Sequence, residues 1–348
     1  MRRFDYTDLI NRTWDNEIVN YLSQIHEEKG KQALYLKQSP DKLERLVEIA
    51  KIQSTESSNE IEGIRTSNTR LKQLMNNKTM PKSRSEKEIA GYRDALNVVH
   101  ESFEYIPITP NYILQLHKIM FSHTDSAFGG CFKNAQNYIS AVDKDGNAFT
   151  LFTPPAPYET RDAIQNICDE YNRAIGEGGI DPLILIPVFI HDFLCIHPFT
   201  DGNGRMSRLL TTLLLYRSGY FIGKYISLEA KIADRKSEYY DALSEAQTGW
   251  HEGNDDSVPF IKYILSTVIS AYRDFEERAQ LVSEKLTSVE MVRRAVNSRI
   301  GGFTKNEIHE LCPSLSKATI ERCLKALCEN EEIIMKGQGK STFYVRLQ

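Results

Sequence analysis

The sequence predicts a mainly α-helical protein: a helical core interrupted by a small β-hairpin, followed by a C-terminal winged helix-turn-helix domain. Three observations predict it. Apolar residues recur at spacings of three and four over most of the 348 residues. Between Ser122 and Pro157 that rhythm breaks into glycine pairs and short alternating runs. From about residue 285, three short helical patterns are followed by two strand-like ones.

Leu43, Leu46, Val47, Ile49, Ala50 and Ile52 build an apolar face on a helix running toward Glu62, with Gly63 as its stop. Ser85 reads as the N-cap of the next helix, whose first turn holds Glu86 and Glu88 and whose face carries Ile89, Tyr92, Ala95, Leu96 and Val99. Pro110 opens another through Ile113, Leu116, His117 and Met120, because a first-turn residue needs no N–H. Gly129-Gly130, Asn137-Tyr138-Ile139, Asp145-Gly146 and Phe149 to Phe152 read as a hairpin that ends at Pro154-Pro155. Helical spacing resumes at Thr160 and from Asp181-Pro182 through Cys195. It continues through Met206, Leu209, Leu210 and Leu213 to Leu215, then near 236–247 and 258–281.

Helical segments at 288–298, 304–311 and 316–329 precede Glu332 to Lys336, a Gly337-Gln338-Gly339 turn and Thr342 to Arg346, the order of a winged helix. Ser316 would cap its recognition helix, on which Lys317, Thr319, Arg322 and Lys325 would meet phosphates or bases. Glu321, Glu329, Glu331 and Glu332 dilute that basic face, so DNA is one partner and packing or homodimerisation the plainer use. The breaks divide the chain into an N-terminal helical region at 1–80, a core at 81–283 and the C-terminal domain at 284–348.

Hydrophobic residues make up 41% and charged residues 26%, the balance of a soluble globular protein rather than a disordered or fibrous one. The richest apolar run, Leu183 to Ile190, is about eight residues, far below the roughly 18 that span a bilayer, so no membrane partner is expected. Met1-Arg2-Arg3-Phe4-Asp5 lacks the apolar stretch of a secretory signal, which points to the cytoplasm. Six cysteines without a C-x-x-C pair read as reduced core thiols, not a zinc or disulfide framework. Net charge is −4, but Lys285 to Gln348 holds about 11 basic and 7 acidic side chains, a sign of separate jobs for the two parts.

The chemistry concentrates in His197-Pro198-Phe199-Thr200-Asp201-Gly202-Asn203-Gly204-Arg205-Met206-Ser207-Arg208, a polar run between two apolar helices. Gly202 and Gly204 around Asn203 let backbone N–H groups point into one concavity at a helix N-terminus, which is an anion cradle. Arg205 and Arg208, three apart, are placed so that both guanidinium groups reach the same phosphate chain. Asp201 offers one hard oxygen of the kind Mg²⁺ takes when phosphates supply other ligands. His197 titrates near neutrality and closes one edge of the cradle, where it would accept a proton from an attacking hydroxyl.

This run resembles the complete Fic-family signature, H-P-F-x-[D/N]-G-N-G-R-x-x-R, without a departure. His191 and Phe193 upstream, Leu209-Leu210 downstream and the Glu88 to Leu96 helix are also similar to that family, and the likeness extends over about 80–280. The resemblance implies a Fic-type helical core and a protein adenylyltransferase. Such an enzyme moves AMP from ATP to a Ser, Thr or Tyr hydroxyl of a protein target or of itself. It implies His197 as general base and Asp201 as holder of Mg²⁺. Asn203 with the backbone at 202–204 would grip the phosphates, and Arg205 and Arg208 would neutralise the β and γ groups. The hairpin near Lys133 to Pro155 resembles the family's flap, which pairs with the target segment like a strand. His191 reads as a buried, hydrogen-bonded neighbour of the site.

Ser58-Asn59-Glu60-Ile61-Glu62-Gly63 resembles the family's inhibitory motif, [S/T]-x-x-x-E-[G/N], on a helix N-terminal to the core. The resemblance implies that Glu62 pairs with Arg208 and occupies the fork meant for the γ-phosphate. Tyr239 and Tyr240, with the flap, are expected as walls for the base. Asp234 stands near a position where the family often has asparagine, which leaves base preference open. The alternatives are transfer of another phosphate-containing group, removal of AMP with Glu62 engaged, and a nucleotide-sensing DNA-binding regulator.

Overall fold

The structure is a computed structural model. It describes residues 2–347 apart from 39, 143–145, 284–286, 300, 313–314 and 338–341. After a short 3-10 turn at Tyr6–Asn11, the chain forms α1 (Asn16–Gln38), α2 (Pro40–Ile61), α3 (Asn68–Met75), α4 (Arg84–Ser102) and α5 (Pro110–Met120). The hairpin of β1 (Ile139–Val142) and β2 (Ala148–Phe152) follows, antiparallel and bulged between Ile139 and Ser140. Then come α6 (Pro157–Glu177), α7 (Pro182–Ile196), α8 (Asn203–Arg217), α9 (Leu228–Asp234), α10 (Lys236–Ala246) and α11 (Val258–Ser283).

α7 is the axis of the core. Its residues from Leu183 to Ile196 are all buried, so a helix apolar on every side is wrapped by α6, α8 and α11. α8 is buried almost as fully and lies against α7 and α4, which buries Pro198, Phe199, Gly202 and Asn203 of the polar turn between α7 and α8. Helix-on-helix burial is therefore what holds the site. α2 lies across α4, α8 and α9, and Gly63 ends it at φ +77, a left-handed conformation that glycine takes without a Cβ penalty.

Two expected boundaries move. The N-cap of α4 is Ser83, not Ser85: its side chain accepts from the Glu86 N–H at 3.1 Å. The three-residue spacing from Ser83 to Glu86 matches N-cap geometry, which Ser85 directly before Glu86 cannot. The first hairpin strand begins at Ile139 rather than Asn137, because Asn137 spends its side chain on the turn after α7. Asp145 of the expected hairpin turn, and Gln338 and Gly339 of the expected C-terminal turn, lie outside the described residues.

The C-terminal part runs α12 (Ser288–Asn297), β3 (Gly302–Phe303), α13 (Lys305–Leu311), α14 (Lys317–Glu329), β4 (Ile333–Lys336) and β5 (Phe343–Arg346), with sheet order β3-β5-β4. It gathers its own apolar cluster around Val292, Phe303, Ile308, Leu324 and Ile333, separate from the main core. Ser316 caps α14 by accepting from the Thr319 N–H, as its sequence position predicts. β3, two residues long, carries no periodicity that a sequence could reveal. Among the described residues no helix is long and apolar enough to cross a membrane.

Candidate active site

The turn between α7 and α8 is fastened from outside, carbonyl by carbonyl. Lys133 donates its backbone N–H to Pro198 O at 2.8 Å and its ammonium to Ile196 O at 3.0 Å. Asn137 donates its amide to His197 O at 3.0 Å and Phe199 O at 3.1 Å. His117 stacks face to face on Phe199, centroids 3.7 Å apart, and donates Nε2–H to Asp201 O at 3.0 Å. The Gly130 N–H donates to His117 Nδ1 at 2.9 Å, which fixes that tautomer. With these carbonyls occupied, the turn presents to the interior the N–H groups that open α8, and such first-turn donors have no partner within their helix.

Gly202 takes φ +86, and a Cβ there would meet Met120 Cε at 2.6 Å, so both conformation and packing demand glycine. At Gly204 a Cβ would lie 2.3 Å from Glu62 Oε1, so glycine keeps open the floor that Glu62 now covers.

His197 closes α7 as its C-cap, at φ +48 and ψ 61, a left-handed conformation that costs a β-carbon residue about 1–2 kcal/mol. The fastened carbonyls around it hold that geometry. Its Nδ1 lies 3.2 Å from Leu194 O and donates to it, which leaves the lone pair on Nε2, without a hydrogen-bond partner among the described residues. Burial lowers the imidazole to about 4, with Lys133 adding to the effect and the Leu194 contact and Glu62 partly opposing it. The side chain is a neutral base at physiological pH.

The two arginines do not share a target. Arg208 is buried; it donates Nε to Ser58 Oγ at 2.8 Å, and one terminal nitrogen to Ser58 O at 2.8 Å and Glu62 Oε1 at 2.7 Å. Arg205 turns away to Glu88 of α4 at 2.8 Å, with Asp201 at 3.5 Å and the Phe121 ring beneath it. A buried carboxylate on α4 holds Arg205, while Ser58 and Glu62 hold Arg208. The Asn203 side chain accepts from Phe199 N at 2.9 Å and donates to Phe199 O at 2.8 Å, so the amide staples the turn. The Asp201 carboxylate is 40% exposed and lies 3.7 Å from Arg84.

A cavity of about 150 Å³ opens from His197, Gly204, Arg208 and Glu62 toward Tyr239, Tyr240, Leu243 and Gln247, roofed by Ile139 and Leu151 of the hairpin. The two tyrosines stand where the sequence expects walls. Gln247 is buried, and its amide offers a donor and an acceptor side by side. His191 is buried with Nε2 at 3.5 Å from Cys195 Sγ; the Asp192 and Asp255 carboxylates beside it are engaged by Arg2.

Sequence reasoning missed His117, Lys133, Asn137 and Glu88 as parts of the site. Each acts through a backbone or a partner side chain distant in sequence, so no local spacing marks it. A polar Lys133 and Asn137 before a hairpin were visible, but only their hydrogen bonds to the turn reveal the role. Asn137→Ala removes two donors from the turn and is expected to lower turnover by roughly 10²-fold, as a 1 Å misplacement does, while nucleotide still binds. Separate measurement of kcat and nucleotide affinity checks this.

His117 and His100 are both buried neutral imidazoles, pushed from 6.5 to about 4 and about 3 mainly by desolvation. The unfolded chain takes up these protons first. Stability is therefore fully present above about pH 6.5 and is lost as pH falls from there to about 4 for His117 and about 3 for His100, by roughly 3–5 kcal/mol per histidine. Thermal midpoints measured from pH 7.5 to 3.5 should be flat at first and then decline, and the decline should be shallower in His117→Phe.

Residues 107–215 match the model of the Fic/DOC family. The chain is 29% identical over 184 residues to protein adenylyltransferase fic-1 of Caenorhabditis elegans, covering 52% of this chain and 32% of that protein. It is 30% identical over 181 residues to protein adenylyltransferase Fic of Drosophila willistoni, covering 51% and 31%. It thus spans about a third of the length of these curated relatives. A Fic family protein from Desulfovibrio desulfuricans shares the fold with a TM-score of 0.64 at 20% identity, over 97% of both chains. A Fic domain containing signaling protein from Bacteroides thetaiotaomicron does so at 0.62 and 22%, over 78% of this chain and all of that one. The fastened turn between α7 and α8 lies inside the matched segment, and the chain carries a domain of the Fic/DOC family.

Proposed function

We propose that this protein is an adenylyltransferase that moves AMP from ATP to a hydroxyl side chain of a protein, and that Glu62 restrains it. The observation that carries the reading is a neutral His197 with its lone pair on Nε2, set on one cavity with the N-terminus of α8 and the buried guanidinium of Arg208.

ATP would lie with its base between Tyr239, Tyr240 and the hairpin, and Gln247 at the far end matches the adjacent donor and acceptor of an adenine edge. Its phosphates would run over Gly204 toward Arg208. A target segment would pair with the free edge of the hairpin, bringing its hydroxyl beside His197. The hydroxyl oxygen then attacks the α-phosphorus and its proton passes to His197 Nε2. The bond from the α-phosphorus to the bridging oxygen breaks in line, and pyrophosphate leaves. Arg208 and the α8 N–H groups neutralise charge that develops on the phosphates, while Glu88 keeps Arg205 braced beneath Asp201. Asp201 would hold Mg²⁺, which supplies further charge neutralisation when bound.

With Glu62 on Arg208, the γ-phosphate finds its cation occupied and a carboxylate in its place. Lys236 holds the end of the same helix by donating to Ile61 O at 2.6 Å. We also read the C-terminal part as a winged helix, whose exposed Lys317 and Arg322 on α14 offer contacts to DNA phosphate. A gel shift that weakens steeply with salt checks this.

Incubation with ATP, UTP, GTP and CDP-choline in parallel, followed by intact-mass measurement, tests the main reading. An AMP adduct on the protein or its target is expected. An adduct from another donor in its place would move the chain to a different transfer chemistry.

A further inference from the structure

The hairpin that roofs the nucleotide cavity has little of the body beneath it. Ala148 to Leu151 of β2 are all exposed, and Phe152 at the base is the one buried side chain of that strand. A two-stranded hairpin is at best marginally stable by itself, so what grips its base decides where the roof sits. The leg before β1 is held from the catalytic turn, where Asn137 donates to His197 O and Phe199 O at 3.0 and 3.1 Å.

The leg after β2 is held from elsewhere. A 3-10 turn at Trp250–Glu252 joins α10 to α11, bracketed by Gly249 at φ +77 and Gly253 at φ +71. Trp250 is buried and fixed: its Nε1–H donates to Asp192 of α7 at 2.6 Å, and its carbonyl accepts from Arg2 at 2.8 Å. Its ring meets Phe4 and Phe152 at 6.0 and 5.9 Å. His251 beside it is exposed and reaches the hairpin twice. The imidazole lies nearly parallel to the Phe152 ring, centroids 5.0 Å apart at 10°, and Nε2 is 2.9 Å from Thr153 O. A carbonyl only accepts, so Nε2–H is the donor. Gln247 at the far end of the nucleotide cavity lies four residues before His251, so the base end of the cavity and the hairpin share one mount.

We propose that His251 is a positioning residue for the acceptor protein. By clamping Phe152 and Thr153 it fixes β2 over the cavity, so that a strand paired to the hairpin presents its hydroxyl to His197. This rests on the proposed role of the hairpin as the acceptor's dock, whereas the clamp itself can be measured without it.

Hydrogen exchange of the full chain, followed by mass spectrometry, reads the clamp. In His251→Ala the β1 and β2 amides should exchange roughly 5- to 30-fold faster, the scale of one or two lost contacts, while α7 and α8 keep their rates. His251→Phe keeps the stack without the donor and should fall between. Transfer from labelled ATP reads the consequence, with the Glu62→Gly chain as enzyme and a full-length His197→Ala copy as the hydroxyl acceptor. Adding His251→Ala to the enzyme should raise KM for that copy by about ten-fold and leave kcat and ATP affinity within about two-fold, because a loosened hairpin must be ordered at each docking. Unchanged hairpin exchange in His251→Ala, or faster exchange with KM for the acceptor unmoved, would overturn the proposal. No label in any form would sink the transfer activity and the acceptor role with it, while faster exchange in His251→Ala would still uphold the clamp.

Discussion

His197→Ala is expected to lower AMP transfer by about 10²- to 10⁴-fold while ATP binding persists. The asymmetry follows from what the imidazole touches. Its Nδ1 is committed to Leu194 O, so the ring orients itself and leaves Nε2 for one task, acceptance of the target's proton. The phosphates would rest instead on Arg208 and the α8 N–H groups, which the substitution leaves in place. The turn should also survive, because Asn137, Lys133 and His117 grip its backbone rather than the His197 side chain. Loss of transfer with unchanged ATP affinity, measured by labelled-ATP turnover beside equilibrium binding, checks the assignment. Parallel loss of both would make His197 a binding residue.

Glu62→Gly is expected to raise self-labelling or target labelling by roughly 10- to 100-fold. That is the scale of one charge-assisted contact of about 1.5–3 kcal/mol, transferred from Glu62 to the γ-phosphate. Arg208 would not collapse when Glu62 is removed. Two of its donors still reach Ser58, so the fork stays aimed across Gly204 at the cavity. The glycine also clears the space directly over Gly204, where the carboxylate now stands. Glu62→Gln should give an intermediate rise, since the amide keeps the volume and a hydrogen bond but not the charge. Labelling that is identical in all three forms would remove Glu62 from control and leave it a helix-end residue.

The order of elements was largely legible because their apolar faces are periodic. α7 is apolar on all sides, α4 has an acidic first turn before a periodic apolar face and α5 opens on Pro110, so their type follows from local sequence. α3 and α9 are each about two turns, too short for periodicity to separate them from loop. The chemistry was legible as a run of residue types between two apolar helices, and the structure brings His197, Gly204 and Arg208 onto one cavity with Glu62. What could not be read was the allocation of partners. Arg205 and Arg208 look equivalent at their spacing, yet Glu88 takes one and Ser58 with Glu62 the other. Asn203 also staples the turn, because Phe199 four residues before it presents both a donor and an acceptor. Such choices depend on side chains from α2 and α4, which the topology brings together and the linear sequence does not.

The most direct test is a crystal structure of the Glu62→Gly form with ATP and Mg²⁺. The account predicts the triphosphate laid along the N-terminus of α8, with the γ-phosphate on Arg208 and the α-phosphorus facing His197 Nε2 from the hairpin side. Phosphates bound away from Gly204, with Arg208 still held only by Ser58, would contradict it.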